Sequence, residues 1–480
     1  MKLATLLTCA TLCLTTPVWA QDTPAAVVDG TVPFTQSEVI AGLEAPWELT
    51  WGPDAMLWVT ERTAGRITRV NPADGSKQTA IVLAEVVAIG GQDGLLGLAL
   101  DPELLQGTGH DFVYTAFTYN DTARPPVRTV TDPADPYYHL YTKIIRLTFD
   151  AGTGTLSDPV TVIDGLPAGG DHNSGRMKIG PDGKIYYTIG DQGNDQLSHY
   201  CLPIQAQRLP TADEMAAGDL FAYQGKSLRL NLDGSIPDDN PVLVGVRSHI
   251  FTYGHRNMQG IDFGPDGRLY AAEQGPKTDD EVNVLAAGGN YGWPHVAGFA
   301  DDMAYQYAQW ADASKPCDTI DFSDFAIDPS VPRQDETAWG GDFTPPLATL
   351  FTVPSDWNFT DPACEGGYFI CWPTVAASSI EAYRPVTGGI PGFDNGLLVT
   401  TLKRGSIYRI PLSADGMTRV GPIERYFHTE NRYRDTAISP DQRTIYIATD
   451  PGGLTEDLSG GITDQLANRG AILAFTYRGE

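Results

Sequence analysis

One short phrase returns six times along the chain: a turn with an acidic residue, usually beside proline, followed by an apolar, often aromatic strand. The copies begin at Gly52, Asp101, Gly180, Gly264, Gly392 and Ser439. Irregular spacings of roughly 40 to 130 residues between copies of one strand-turn unit are typical of radial β folds with loop insertions. The sequence therefore predicts an all-β, six-bladed β-propeller of antiparallel four-stranded blades with long loop insertions.

The composition agrees with many short strands joined by tight turns. The chain of 480 residues contains 51 Gly and 35 Pro, and 10% of its residues are aromatic, which favours strands over long helices. Length alone suggests about three domains, but each blade of a propeller adds its own small core. We therefore expect one propeller domain over residues 21–480, with insertions near residues 118–141 and 300–345.

The amino terminus has the pattern of a secretion signal. Lys2 precedes an apolar stretch over residues 3–14, and Val18-Trp19-Ala20 resembles a cleavage site. The apolar stretch is too short for a membrane anchor, and no other segment approaches the length of a membrane span. We expect residues 1–20 to be a signal peptide cleaved after Ala20, a periplasmic or secreted protein, and no membrane insertion.

Four cysteines lie beyond the predicted signal: Cys201, Cys317, Cys364 and Cys371. An even number of cysteines in an oxidising compartment favours disulfides. Cys364 and Cys371 are close enough in sequence to join one short loop. Cys201 and Cys317 would then remain as a second pair, whose formation the sequence leaves open.

The formal net charge of −28, from 60 acidic and 32 basic residues, argues against nucleic acid as a partner, because binding phosphates requires a basic face. In such an acidic chain Lys403, Arg432 and Arg434 are conspicuous. Three cations directed at one pocket would suit a ligand with several carboxylates or phosphates. The alternative is that they pair with surface carboxylates.

His172 is the best candidate for a general base. In a propeller, loops from one edge of successive blades converge on the mouth of the channel, and His172 lies in one of these loops. Imidazole titrates near neutral pH, and a neighbouring carboxylate fixes its tautomer. Asp171 or Asp191 would supply that carboxylate. The alternative is that Asp171 and His172 form an ordinary turn.

Two further segments indicate a metal and a planar ligand. Gln274-Gly275-Pro276, followed by acidic residues 279–281, offers carbonyl and carboxylate oxygens that suit Ca²⁺, although a solvated acidic turn would have the same composition. Trp372 offers a flat face for a planar cofactor or a sugar ring, unless it is a core residue.

From Pro46 to Tyr477 the chain resembles the soluble quinoprotein glucose dehydrogenases. The resemblance is carried by residues 91–97, 171–176, 184–193, 254–257, 289–294, 370–374 and 431–435. It implies a periplasmic six-bladed propeller that uses pyrroloquinoline quinone and Ca²⁺. It also implies oxidation of glucose and related aldoses at the anomeric carbon to the lactone, an unidentified periplasmic electron acceptor, and a homodimer.

The resemblance also implies a role for each matching residue. His172 would be the base that takes the proton of the anomeric hydroxyl, Asp191 would orient it, and Arg256 would stabilise negative charge on the quinone oxygen. The substrate would contact Gln92, Asp171, Gln196, Phe369 and Trp372. Besides Arg256, the cofactor would contact Asn257, Gln274, Trp372, Lys403, Arg432 and Arg434.

For the metals, the resemblance implies one calcium at the cofactor, held by the backbone carbonyls of Gly275 and Pro276, and further structural calcium sites. The residues implied for the structural sites, some through backbone oxygen, are Asp280, Glu281, Tyr291, Ala297 and Asp301. Cys364 and Cys371 match a disulfide of the family that closes a short loop.

The chain departs from the family pattern at several positions. Phe369 stands where the family has tyrosine, which keeps an aromatic wall but removes a hydroxyl, and Asp195 replaces an amide beside Gln196. Cys201 and Cys317 are outside the pattern, and the chain is far more acidic than expected. The preferred sugar and the surface that meets the electron acceptor therefore do not follow from the resemblance.

Two other functions remain open for a six-bladed propeller with these loops. One is a calcium-dependent sugar lactonase, which would not need the three cations as a clamp for a tricarboxylate. The other is a non-catalytic carbohydrate-binding propeller, which would not need a positioned base at His172.

Overall fold

Each of the six repeated turns lies between the first and second strands of one antiparallel sheet. The computed structural model describes residues 26–479. Blade 1 consists of Pro46–Trp51, Leu57–Glu61, Arg66–Val70 and Lys77–Val82. Blade 2 consists of Leu95–Leu100, Phe112–Asn120, Leu140–Asp150 and Thr155–Pro167. Blade 3 consists of Met177–Ile179, Ile185–Ile189, Lys226–Leu230 and Ile250–Tyr253.

The remaining three blades complete the predicted six-bladed propeller. Blade 4 consists of Asn257–Phe263, Leu269–Gln274, Asp280–Leu285 and Ala348–Leu350. Blade 5 consists of Ala377–Ala382, Gly396–Thr401, Ile407–Pro411 and Ile423–Tyr426, with Val27–Asp29 added in parallel at its outer edge. Blade 6 consists of Tyr433–Ile438, Thr444–Thr449, Ile472–Tyr477 and Phe34–Ile40.

The ring closes by joining the two ends of the described chain. Phe34–Ile40 pairs antiparallel with Ile472–Tyr477 and forms the outermost strand of blade 6. The first blade in sequence and the last blade are thereby tied together, since blade 6 needs residues from both ends.

Short elements fill the connections. The helices are Ala212–Ala217 and Tyr368–Cys371, and the first is bounded by a capping box between Thr211 and Glu214 and by Gly218 at φ +68°. The 3₁₀ turns are Leu197–His199, Phe221–Tyr223, Trp310–Asp312, Cys317–Thr319, Glu336–Ala338 and Pro362–Cys364. Two-residue strands pair as Val242–Leu243 with Val246–Arg247, Tyr307–Ala308 with Arg333–Gln334, and Thr455–Glu456 with Ile462–Thr463.

The apolar core lies between blades. Trp58 of blade 1, for example, is fully buried in one cluster with Phe117 and Leu147 of blade 2. Each of the other five neighbouring pairs of blades shares a comparable cluster. Because each sheet buries its faces against its neighbours, the blades stabilise one another only as a closed ring.

Arg176 joins the innermost strands across the centre of the ring. Its guanidinium is 1% exposed and donates to Glu48 of blade 1 and to Asp435 of blade 6, each at 2.8 Å. It also donates to the backbone carbonyls of Gln259 in blade 4 and Ser378 in blade 5. One side chain at the start of blade 3 thus contacts four other blades.

The first long insertion lies where the sequence predicted it, near residues 118–141, whereas the second begins earlier than the predicted start near residue 300. Residues 121–139 join the second and third strands of blade 2, and residues 286–347 join the third and fourth strands of blade 4. Cys201–Cys317 and Cys364–Cys371 both form disulfides. The first settles the pairing that the sequence left open, and it ties the blade 4 insertion to the loop after the second strand of blade 3.

The described residues include no helix that is long and apolar enough to cross a membrane. The predicted signal peptide, residues 1–20, lies outside the described residues.

Candidate active site

The predicted site segments gather at one end of the propeller. In antiparallel blades the first strand begins, and the second strand ends, at the same edge of the sheet. Residues 171–176 precede the first strand of blade 3, and residues 190–193 follow its second strand. The same relation holds for residues 254–256 and 275–276 around blade 4, and for residues 402–405 after the second strand of blade 5.

A cavity of about 460 Å³ opens at this end. Eleven of the predicted site residues line it: Asp171, His172, Gln196, Arg256, Gln274, Gly275, Pro276, Asp280, Phe369, Trp372 and Lys403. Thr374, from the segment 370–374, also lines it, together with residues that the sequence did not indicate: Leu197, Phe322, Asp324, Phe325, Gly366, Gly367, Tyr368 and Ala376.

His172 forms a buried pair with Asp191. Nδ1 of His172 lies 2.6 Å from Oδ1 of Asp191, and both side chains are almost completely buried. The other carboxylate oxygen of Asp191 accepts a hydrogen bond of 2.8 Å from Nε1 of Trp293. Since Asp191 is held from both sides, it fixes the imidazole with Nδ1 as the donor and leaves Nε2 as the acceptor.

Arg256 and Gln196 lie beside this pair. Nε2 of Gln196 is 3.4 Å from each ring nitrogen of His172, and its Oε1 accepts a hydrogen bond of 2.9 Å from Arg256. Arg256 also donates to the carbonyl of Gln274 and lies 5.5 Å from the centre of the Trp293 ring. Its buried Nε has no hydrogen-bond partner among the described residues, so this cation retains a donor for a ligand oxygen.

Asp171 is held as a carboxylate beside the imidazole. Burial favours the neutral acid, but His172, its backbone N–H and Arg256 together lower the pKa of Asp171 below its usual value. Oδ1 of Asp171 accepts hydrogen bonds from the backbone N–H of His172 and from the side-chain amide of Gln92. A negative acceptor group therefore lines the cavity next to the predicted base.

The backbone around the cavity is strained. His172, Leu197 and Ala376 line the cavity with φ values of +44°, +45° and +51°, a conformation that non-glycine residues rarely adopt. Such strain persists where surrounding structure holds it, and it is concentrated at functional sites.

Arg432 and Arg434 line a second, neighbouring cavity of about 210 Å³. Both are paired with the buried carboxylate of Asp450, and Arg434 makes two hydrogen bonds to it. The three predicted cations therefore do not share one wall, since Lys403 lines the larger cavity.

A short row of amides lies between the two cavities. The side-chain amide of Asn257 approaches Gln274 of the larger cavity at 3.3 Å and Gln92 of the smaller cavity at 3.4 Å. Residues predicted to contact the sugar and residues predicted to contact the cofactor thus line both cavities, and polar side chains separate the two.

Lys403 is buried behind the aromatic wall of the larger cavity. Its ammonium donates to the carbonyl of Trp372 and to the hydroxyl of Thr374, and burial lowers its pKa to about 7 although Asp280 opposes this change. The carboxylate of Asp280 accepts hydrogen bonds from the backbone N–H groups of Gly275 and Val375. An anionic ligand contacting Lys403 would favour its charged form.

The predicted metal residues lie in two places. Gly275 and Pro276 line the cavity, and neither carbonyl accepts a hydrogen bond from a described residue. Behind the cavity, burial and repulsion by Glu273 raise the pKa of Glu281. Burial and the nearby Asp302 raise the pKa of Asp301. Within residues 26–479, however, no group of three or more His, Cys, Asp or Glu side chains is arranged to hold a metal ion.

Two other residues predicted for structural calcium make ordinary contacts. The hydroxyl of Tyr291 donates to the carbonyl of Val284, and its ring stacks on His255. The backbone N–H of Ala297 donates to the carboxylate of Glu336. Glu336 was not predicted as a site residue, and burial raises its pKa to about 8, with Asp301 and Asp279 adding to the effect.

The role of Trp293 was also missed, although it belongs to the segment 289–294 that the sequence analysis singled out. Its proline neighbour and surrounding glycines gave no sign of a hydrogen bond to Asp191, which is 102 residues away. Asp324 and Phe325 belong to the predicted insertion, whose contacts with the cavity depend on how blade 4 places it.

Asp195, which departs from the family pattern, provides a test of stability. Burial raises its pKa to about 8, aided by Asp312 and opposed by the N–H of Ala311 and by Tyr307, and its Oδ2 has no hydrogen-bond partner among the described residues. The folded protein therefore holds a proton that the unfolded chain releases, and stability falls as pH rises from about 4 to about 8. We expect Asp195→Asn to stabilise the fold by about 1–3 kcal/mol at pH 8 and to flatten this dependence.

Denaturant unfolding at pH 5 and pH 8 measures the effect, and Asp318→Asn, at an exposed position, is the control. An Asp195→Asn protein that is less stable than the unsubstituted protein at pH 8 would show that the carboxylate is ionised and favourably bound.

Comparison with known proteins identifies the family of the chain. The profile of the family described as Glucose / Sorbosone dehydrogenase matches residues 43–346. The chain is 44% identical over 448 residues to quinoprotein glucose dehydrogenase B of Acinetobacter calcoaceticus, covering 93% of this chain and 91% of that one. It is 29% identical over 295 residues to aldose sugar dehydrogenase YliI of Escherichia coli K12, covering 59% of this chain and 65% of that one.

Solved structures share the fold. The PQQ-bound form of aldose sugar dehydrogenase from Streptomyces coelicolor aligns with a TM-score of 0.56 and 24% identity, covering 93% of this chain and 99% of that one. A putative oxidoreductase (glucose dehydrogenase) from Thermus thermophilus aligns with a TM-score of 0.58 and 25% identity, covering 92% of this chain and 100% of that one. The chain therefore belongs to the Glucose / Sorbosone dehydrogenase family and is an oxidoreductase.

Proposed function

We propose that the protein oxidises glucose and related aldoses at the anomeric carbon to the lactone, with pyrroloquinoline quinone as its cofactor. The observation that carries this proposal is that His172, paired with the buried carboxylate of Asp191, lines the same cavity as Arg256 and Lys403. A positioned base and two cations in one cavity suit the removal of a proton and a hydride from a neutral sugar. The relatives named for quinoprotein and aldose dehydrogenation support the same assignment.

The residues present fit the cofactor. Pyrroloquinoline quinone is a flat tricyclic molecule with three carboxylates and an ortho-quinone. Lys403, Thr374, Gln274 and the free Nε of Arg256 supply hydrogen-bond donors, and Trp372 supplies a flat wall. The volume of about 460 Å³ is in the range of ligand cavities, and Arg432 and Arg434 lie beyond the amide row as further cations.

The residues present also fit a calcium ion at the cofactor. The carbonyls of Gly275 and Pro276 line the cavity without internal partners, and hard oxygen donors are the ligands that Ca²⁺ prefers. We further propose that a structural cation would lower the pKa values of Asp279 and Glu281, which burial raises with a smaller contribution from neighbouring carboxylates, with Asp280, Tyr291, Ala297 and Asp301 as the residues predicted to hold it.

Each cavity residue has a defined part in this proposal. His172, with Nδ1 fixed by Asp191, takes the proton of the anomeric hydroxyl on Nε2. Asp171, Gln92 and Gln196 hold other hydroxyls of the sugar. When bound, the quinone with its calcium supplies the acceptor for the hydride. Arg256 stabilises negative charge that develops near its free donor, which favours the transition state over the ground state.

The same observations support oxidation over the two alternatives. A sugar lactonase would not require buried Lys403 behind a flat aromatic wall, and a binding module would not require the buried pair of His172 and Asp191. Phe369 at the mouth keeps an apolar wall for the sugar but offers no hydroxyl.

Reconstitution tests the proposal. We expect purified apoprotein with pyrroloquinoline quinone and Ca²⁺ to reduce a small dye in proportion to added glucose, because the quinone and its calcium together supply the acceptor for the hydride. Omitting either one, or adding a chelator before the cofactor, should abolish the reaction. A parallel assay follows hydrolysis of gluconolactone with Ca²⁺ alone. Cofactor that fails to bind, together with lactone hydrolysis, would reject oxidation and favour the lactonase.

A further inference from the structure

We propose that the aromatic mouth of the active-site cavity is the docking surface for a one-electron redox protein with a basic face. This inference rests on the proposed oxidation. Each aldose that becomes a lactone releases two electrons and two protons. A one-electron carrier must therefore be reduced twice for each sugar, with the two protons passing to solvent, and it must approach the cavity in which the electrons are released.

The mouth carries a group of aromatic residues, here called the aromatic rim and consisting of Phe325, Phe359, Tyr368, Phe369 and Trp372. Phe325 contacts the rings of Tyr368 and Trp372 at 5.9 and 6.3 Å between centres, and Phe359 contacts Trp372 at 6.4 Å. Four members of the rim, all but Phe359, line the cavity itself. The rim thus joins the inside of the cavity to the outer surface.

The rim remains open to solvent. Phe325 and Phe369 are 51% and 50% exposed, and Leu197, which also lines the cavity, is 57% exposed. Three of the exposed large apolar side chains of residues 26–479 therefore line one cavity, and such a group at an opening marks an interaction surface. The exposed Trp357 lies two residues from Phe359 and extends the same segment.

The segment that carries the rim is strongly acidic. Residues 312–372 contain 11 carboxylates and only two cations, Lys315 and Arg333. Asp321, Asp356 and Asp361 are exposed. Asp321 is next to Phe322 of the cavity, and the other two lie within three residues of Phe359 of the rim. Among the described residues none of these three forms an ion pair; Lys315 pairs with Asp328 instead. The negative charge is therefore available to a partner.

An apolar centre surrounded by charge is the usual design of a transient protein interface. Aromatic residues contribute contact area at the centre, and surrounding charges steer the partner and set its orientation. A basic protein gains from both features of this mouth. An anionic carrier would be repelled by the segment and by the net charge of −28.

The test compares two triple substitutions that remove the same charge. Asp321→Asn, Asp356→Asn and Asp361→Asn together neutralise acids beside the mouth. Asp74→Asn, Asp150→Asn and Asp415→Asn together neutralise exposed acids in turns between the third and fourth strands of blades 1, 2 and 5. By the strand directions, those turns lie at the end of the propeller opposite the cavity.

A basic c-type cytochrome serves as the probe, with two readouts. One is the second-order rate of glucose-dependent cytochrome reduction by the reconstituted protein. The other is cytochrome binding to apoprotein by calorimetry, which does not depend on activity. We expect the mouth variant to lower both the rate and the affinity about 10-fold at low salt, and the opposite-end variant to change them less than about 2-fold. Raising the salt to about 200 mM should remove most of the difference.

Reduction of neutral 1,4-benzoquinone by the same proteins separates this inference from the proposed function. Equal benzoquinone rates in all three proteins, with the cytochrome effect confined to the mouth variant, support the docking surface. Equal effects of the two variants on the cytochrome would overturn it. A changed KM for sugar with unchanged cytochrome kinetics would also overturn it, and would make the mouth a substrate subsite. No reduction of benzoquinone by any of the proteins would instead reject the proposed oxidation.

Discussion

Replacing His172 by alanine is expected to lower the turnover number for glucose by about 10²–10⁴-fold, the usual contribution of a positioned general base. The side chain contacts Asp191 and Gln196, and it makes no hydrogen bond to Lys403 or to the carbonyls of Gly275 and Pro276. Cofactor affinity, measured by fluorescence titration of the apoprotein, should therefore change less than about 3-fold. An equal loss of turnover and of cofactor affinity would refute the assignment of the base.

His199 provides the matched control. It lies in the neighbouring 3₁₀ turn, where its Nδ1 contacts the carbonyl of Gln192, and it does not line the cavity. His199→Ala should keep turnover within about 3-fold of the unsubstituted protein, because this histidine has no carboxylate fixing its tautomer toward the sugar. A loss comparable to that of His172→Ala would show that proton removal does not depend on the buried pair.

Arg176→Leu is expected to lower the free energy of unfolding by about 3–5 kcal/mol, because removing one partner of a buried ion pair leaves charges without compensation. Glu48 and Asp435 would remain buried at the centre of the ring, where burial already raises the pKa of Glu48 to about 7. Two backbone carbonyls would also lose their donor. Denaturant unfolding of the apoprotein measures the change.

Two comparisons identify the cause of this destabilisation. Arg124→Leu removes a half-exposed arginine that pairs with Asp121 and Asp164, and it should cost no more than about 1 kcal/mol. Adding Glu48→Gln and Asp435→Asn to Arg176→Leu should restore part of the lost stability, since the stranded carboxylates are then neutral. A free energy of unfolding for Arg176→Leu within about 1 kcal/mol of that of the unsubstituted protein would contradict the central role of this side chain.

Much of the fold could be predicted from the repeated turn. Pro and Asp in the hairpins after Trp51 and after Ile179 restrict the backbone locally, so the first two strands of each blade are visible in the sequence. The outer strand of blade 6 was not visible. Phe34–Ile40 carries no such turn, and its pairing with Ile472–Tyr477 depends on the closure of the whole ring.

The candidate site was predictable where chemistry and loop position coincide. His172 and Asp191 flank the ends of adjacent strands of one blade, so topology alone brings them close together. The division of the cations was not predictable, because the pairing of Arg432 and Arg434 with Asp450 depends on contacts at the start of blade 6. The hydrogen bond from Trp293 to Asp191 likewise depends on where the blade 4 insertion lies.

The most direct test of the account is a crystal structure of the protein with pyrroloquinoline quinone, Ca²⁺ and a slowly reacting sugar. We expect the cofactor in the cavity walled by Trp372 and Lys403, the metal against the carbonyls of Gly275 and Pro276, and Nε2 of His172 within hydrogen-bond distance of the anomeric hydroxyl. A cofactor bound elsewhere, or a sugar whose anomeric carbon lies away from His172, would contradict the proposed oxidation.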